Sequence, residues 1–199
     1  MALPTTKTDI CNLALTRIGA KVVTVAEITA DTAVTAMHCN RHYEQTRDAL
    51  LRSHWWRFAS GRVELEEADE PDFEWDNAYD LPDDFLAMKT IYDDNEPDHI
   101  YKNPYELEGS LLLINEDECE IRYIKQVTDV TLFDPLFVEV LVLTLALKLV
   151  MPLSQDRGLY AEIKDELYKE VMPKVRALDR QETNTSGRGG ELTWNESRH

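Results

Sequence analysis

The chain has 199 residues, enough for one good-sized core or one core with a smaller appended module. Its hydrophobic share of 43% and charged share of 30% exclude a disordered chain and give a globular one. The net charge of −17 argues against general nucleic-acid binding, because phosphate contacts need clustered Lys and Arg.

That charge is segregated along the chain. Residues 1–60 hold 7 basic and 5 acidic side chains, residues 61–135 hold 5 and 23, and residues 136–199 hold 9 and 10. The middle third therefore carries essentially the whole excess, an acidic module between two near-neutral segments. The N-terminus shows no charged region followed by an apolar one, so no signal peptide is expected. Cys11, Cys39 and Cys119 are odd in number and irregularly spaced, as expected of small buried hydrophobes rather than of a disulfide framework.

In chain order, Thr8 or Asp9 is the expected cap of a first helix, with Ile10, Leu13, Ala14 and Ile18 on one face and Gly19 as its stop. Val22 to Val25 reads as an extended connector. Asp31 or Thr32 is expected to cap a second helix carrying Ala36, Cys39, Tyr43, Leu50 and Leu51, running to about Ser53. From Gly61 the period changes to two, as Val63 and Leu65 alternate with Arg62, Glu64 and Glu66. Further strands are expected at 78–81, 86–92, 99–101, 111–114 and 118–127, separated by turn clusters rich in Asp, Asn, Gly and Pro. Asp134-Pro135 supplies a cap and an N1 proline for an apolar helix over Leu136–Val150. That run is too short and too charged, with Glu139 and Lys148, to span a bilayer, and Pro152 should break it. A last amphipathic helix carries Leu159, Ile163, Leu167, Val171, Val175 and Leu178, with Pro173 expected to kink or shorten it.

The expected fold class is α+β, an α-helical bundle built from the N- and C-terminal segments with an inserted antiparallel β-rich domain. The divisions are 1–60 and 134–180 for the bundle, 61–133 for the acidic β-rich domain and 181–199 for a flexible tail.

Few residues point to chemistry. His38 and His42 stand one helical turn apart with Cys39 between them, but the glutamate of a helical zinc motif is missing. Asp93 to Asp98 looks like a calcium loop until Pro97 takes a ligand position and no glycine follows. No phosphate-cradling glycine motif and no nucleophile elbow occurs. No catalytic residue, cofactor or metal site is expected. Trp55-Trp56-Phe58 is read as core, with a subunit interface or a base-stacking platform as the other readings.

Three segments carry a family resemblance: Cys11 to Gly19, the Tyr43 to Ala59 block ending Trp-Trp-Arg-Phe-Ala, and Tyr79 to Leu86 with its Leu-Pro-Asp-Asp turn. In these the chain resembles tail tubular protein A, the head-to-tail adaptor family of short-tailed bacteriophages. The resemblance implies a structural, non-enzymatic virion protein. It would form a ring, commonly of twelve copies, between the portal protein and the tail nozzle protein, though monomeric or weakly associated alone. DNA would pass through the ring without being specifically bound, and no membrane would be involved. Partner contacts are expected at Trp194 and Arg188 in the tail, and at Asp93, Asp94, Glu116 and Asp117 in the acidic turns. Two other functions compete: an acidic DNA mimic that captures basic proteins, and a metal-assisted hydrolase using His38 and His42.

Overall fold

A computed structural model describes residues 4–69, 71, 73–93 and 100–182. Its class is α+β. Three helices, α1 (Lys7–Arg17), α2 (Val25–Ala30) and α3 (Val34–Ser53), precede seven strands. The strands are β1 (Ser60–Glu64), β2 (Glu66–Glu67), β3 (Asn77–Asp80), β4 (Phe85–Ile91), β5 (Glu106–Glu108), β6 (Leu111–Ile114) and β7 (Glu120–Lys125). The helices α4 (Pro135–Leu153), α5 (Arg157–Asp165) and α6 (Met172–Glu182) follow, with a π-turn over Glu166–Val171 joining the last two.

Local chemistry sets most boundaries. Thr6, rather than Thr8 or Asp9, caps α1, in a reciprocal box whose other half is the Asp9 carboxylate. Gly19 ends the helix as expected. Its φ of +67° lets Ala20 N–H reach the Leu15 carbonyl (2.9 Å) and Gly19 N–H reach Thr16 (3.2 Å). Thr24 and Glu27 form a second capping box, so Val25 opens a short helix where an extended connector was expected. Asp31 is then the left-handed residue that ends α2, and Ala33 leads into α3 without a side-chain cap. Asn12 ties this region down: its amide binds both the N–H and the carbonyl of Val23, at 2.8 and 2.9 Å.

Asp134 caps α4 by accepting from Leu136 N–H at 2.8 Å, with Pro135 at the first position. The helix continues to Leu153, with Pro152 in its last turn. At 19 residues it is long and apolar enough to cross a membrane by length and composition, which the shorter expected run was not. It is used here as a core helix: α1, α3 and α5 pack against it, and Phe137, Leu141, Leu143, Leu145 and Leu149 are fully buried. Each such side chain contributes about 1.5–3 kcal/mol on burial.

The strands form two antiparallel sheets, ordered β1-β7-β4 and β2-β3-β6-β5. The chain passes from the first sheet to the second at Leu65, returns at Leu81–Asp84 and again at Cys119. Residues 100 and 101, expected as strand, are irregular, and Tyr101 is pinned by its N–H on the Ile91 carbonyl (3.0 Å). Alternation along β7 organises three layers. Ile121 and Tyr123 join the core between the sheets, whereas Ile124 faces the helices and joins their core. The helical core draws on both ends of the sequence, including Ile10, Leu15, Tyr43, Phe137, Leu141 and Val171.

Candidate functional site

Two regions concentrate unusual side chains: the junction between α3 and the sheets, and an acidic pocket on the sheet module.

At the junction α3 stops at Ser53 and its last turn runs into His54-Trp55-Trp56-Arg57-Phe58. Trp56 is 5% exposed and donates its indole N–H to the Leu50 carbonyl at 2.9 Å. Its ring meets Phe137 edge-on at 5.0 Å, and Phe58 packs on Phe137 (5.1 Å) and Phe133 (5.9 Å). These contacts join the end of α3 to the start of α4 and make Trp56 and Phe58 packing residues. Trp55 is half-buried, with the Lys89 ammonium of β4 4.1 Å above its ring. A second tie lies deeper. The Asp48 carboxylate accepts from Arg47 Nε at 2.7 Å and from Gln126 Nε2 at 2.8 Å, so α3 grips the chain just after β7. A cavity of about 70 Å³ lies beside the aromatic cluster, with Leu136, Val175 and Leu178 also among its lining.

The acidic pocket has a volume of about 380 Å³ and is lined by Ile91, Tyr92, Asp93 and Tyr101 with Glu116, Asp117, Glu118 and Glu120. Glu116 is fixed in place by side chains of β3, its carbonyl accepting from Tyr79 Oη (2.8 Å) and Asn77 Nδ2 (2.9 Å). Burial, followed by the charge of Glu116, pushes the Tyr101 phenol above its ordinary range. The structure thus brings Asp93, Glu116 and Asp117 to one pocket. Asp94, Arg188 and Trp194 lie outside the described residues. Nothing in local spacing announced Tyr101 or the Asp48–Gln126 bond, since both depend on pairings across tens of residues.

Among the described residues no three of His, Cys, Asp and Glu come together as a metal-binding group. His42 sits half-buried on α3, and burial, then Lys148, His38 and Arg41, holds its imidazole below the usual histidine range. A proton or a metal dication at His42 would meet the same repulsion. All three thiols are buried. The hydrogen bond between Cys11 and Cys39 raises the Cys11 thiol, with burial adding to it, and lowers Cys39 against the effect of burial, while burial pushes Cys119 up to about 12.

In comparisons with known proteins, no family model matches the chain and no curated protein matches it.

Proposed function

We propose that the chain is a structural virion protein, a head-to-tail adaptor of the tail tubular kind, located at the junction of portal and tail. On this reading the N- and C-terminal helices form one frame, and the sheet module is an insertion that projects from it. Copies assemble in the host cytoplasm as a ring, commonly of twelve, between portal protein and tail nozzle protein. The ring lines the channel for DNA ejection and performs no catalysis.

The observation that carries the proposal is the coincidence of the resembling segments with the joints of the fold. Cys11 to Gly19 holds Asn12, which staples the connector to α1, and the Schellman stop of that helix. The Tyr43 to Ala59 block holds both Asp48 and the aromatic cluster that tie the helices to the sheets and to α4. Leu81 to Asp84 is the turn by which the chain changes sheets. There the Asp84 carboxylate accepts from Tyr123 Oη at 2.9 Å.

Charge supports the same reading. An acidic wall repels a duplex evenly and makes no contacts that would hold it in place. The same acidity also suits a DNA mimic, which would bind basic proteins tightly and in a salt-sensitive way. Retention by the portal ring from the same genome separates the two, since the adaptor binds it stoichiometrically and the mimic does not.

A further inference from the structure

The register between α1 and α3 brings two of the three cysteines together. In the first turn of α1 the Lys7 ammonium lies 5.2 Å from the centre of the Tyr43 ring and 3.5 Å from Glu44 Oε1, both on α3. Cys11 is one turn further along α1, and Cys39 is one turn back along α3. The two thiols are hydrogen-bonded to each other, so residue 7 faces 43, residue 11 faces 39, and the helices run antiparallel. Both cysteines are 0% exposed, within the core shared by the helices.

Thiols in mutual hydrogen bond have Cβ–Sγ bonds that already point at one another, which disulfide geometry requires. Cys119 lies in the separate core between the sheets and serves as an internal control. The hydrogen bond also divides the roles within the pair. It lowers the Cys39 thiol and raises that of Cys11, so Cys39 is the sulfur that ionises first.

We propose that Cys11 and Cys39 are a latent disulfide, a modification site at which a low-molecular-weight disulfide such as oxidised glutathione staples α1 to α3. The Cys39 thiolate attacks one sulfur of the small disulfide, whose S–S bond breaks and releases one small thiol. Cys11 then gives up its proton and attacks Cys39 Sγ. The mixed disulfide breaks, and the second small thiol leaves with that proton. The cysteines have lost two electrons and two protons, and the small disulfide has gained them. Because both sulfurs are fully buried, exchange takes place during folding or local opening of α1, and closure of α1 then shields the bond from reductants. The staple closes a covalent loop around Gly19, the connector and α2, which removes freedom from the unfolded chain. The thiols prevail in a reducing compartment and the staple in an oxidising medium. This inference goes beyond the adaptor reading and does not depend on it.

The test equilibrates the full chain with mixed oxidised and reduced glutathione, in denaturant just below its unfolding midpoint, where α1 opens often. The chain is then returned to buffer and mapped by mass spectrometry of unreduced peptides. The expected product is a monomer linked between Cys11 and Cys39 with Cys119 free. It should melt about 5–10 °C above the chain treated with dithiothreitol. Dithiothreitol should cleave the link at least about tenfold more slowly in buffer than in full denaturant. Cys11→Ala and Cys39→Ala should each abolish the melting shift, whereas Cys119→Ala keeps it. The wild-type peptide map decides even where a variant folds poorly. A folded product without the Cys11–Cys39 link overturns the proposal and leaves both as packing residues. So does a link that includes Cys119 or joins two chains, or a linked chain that melts no higher than the reduced one.

Discussion

Gly61 lies opposite Tyr123 in the β1–β7 ladder, where a methyl group would stand 2.7 Å from ring Cε1 and 2.8 Å from Cζ. The ring has little room to move. It is 6% exposed, stacked on Phe85 at 5.8 Å and held through its hydroxyl by Asp84. Gly61→Ala should therefore cost about 1–3 kcal/mol, the usual range for overpacking a filled core. The cost should shrink in a Tyr123→Leu background, and a double-mutant cycle by denaturant unfolding checks this; equal costs in both backgrounds would contradict the steric account.

His42 gives a pH prediction of definite sign. Its folded-state pKa lies below the ordinary 6.5 because of burial first and the neighbouring cations second. Between the two values the unfolded chain holds more protons, so stability falls as pH drops through about 6.5 and levels off below the folded value. Thermal melts of wild type and His42→Gln at about pH 7.5 and 5.5 should show the larger loss in wild type. Asp9 and Glu27, whose carboxyls are lowered by the capping hydrogen bonds of Thr5, Thr6 and Thr24, act in the same direction at more acid pH. Their contribution is full above their unfolded values and is lost as pH falls through the folded ones.

Among the elements, the final helix shows how a sequence pattern is reconciled with geometry. Ile163, Leu167, Val171 and Val175 are all buried, and each is four residues from the next. On an α-helix a residue every four advances by about 40° per step, so such a stripe would wind off the core. The π-turn at Glu166–Val171 adds a residue to the turn and returns Val171 and Val175 to the same side. It also explains why Pro173 does not end the helix. The change of hydrogen-bond register falls just before the position that lacks a donor. Deleting the exposed Tyr168 should remove the extra residue and leave spacings of four, three and four, which a regular α-helix keeps on one side, so Val171 and Val175 stay on the core. The expected loss by denaturant unfolding is within about 0.5 kcal/mol, the range of surface changes that disturb no packed group. A loss of several kcal/mol, of the order seen when buried aliphatics are removed, would mean the π-turn has no such role.

Much at this scale was legible in the sequence. The Gly19 stop, the Asp134-Pro135 start and the end of α3 at Ser53 rest on short-range chemistry and fell where that chemistry puts them. α2 was missed although Thr24-Val25-Ala26-Glu27 spells a capping box, because only one turn of apolar pattern follows it. The strand expected at 99–101 is absent at residues 100 and 101, the part of it that the structure describes, for a different reason. Tyr101 is held by a single hydrogen bond to Ile91 and by burial in the inter-sheet core, neither of which a run of alternating residues encodes. The π-turn was hidden as well, since a four-residue spacing fits either ladder locally.

For the whole molecule, the buried hydrophobic residues among those described gather into two cores. One gathers α1, α3, α4 and the final helices with Ile124; the other lies between the sheets around Leu112, Ile114, Ile121 and Tyr123. β7 serves both, and the Asp48–Gln126 bond and the Trp56–Phe137 contact brace the joint. The acidic pocket could not be read in advance, because Asp93 and Glu116 become neighbours only through the pairing of strands far apart in sequence. In the proposed assembly on a portal template, a near-neutral helical frame docks while an acidic module keeps DNA unbound. Native mass spectrometry of the full chain, alone and mixed with the portal ring of the same genome, tests it most directly. The expected result is a monomeric or weakly associated chain that joins the portal at one copy per portal subunit. A stable dimer that ignores the portal and binds basic proteins instead would contradict it.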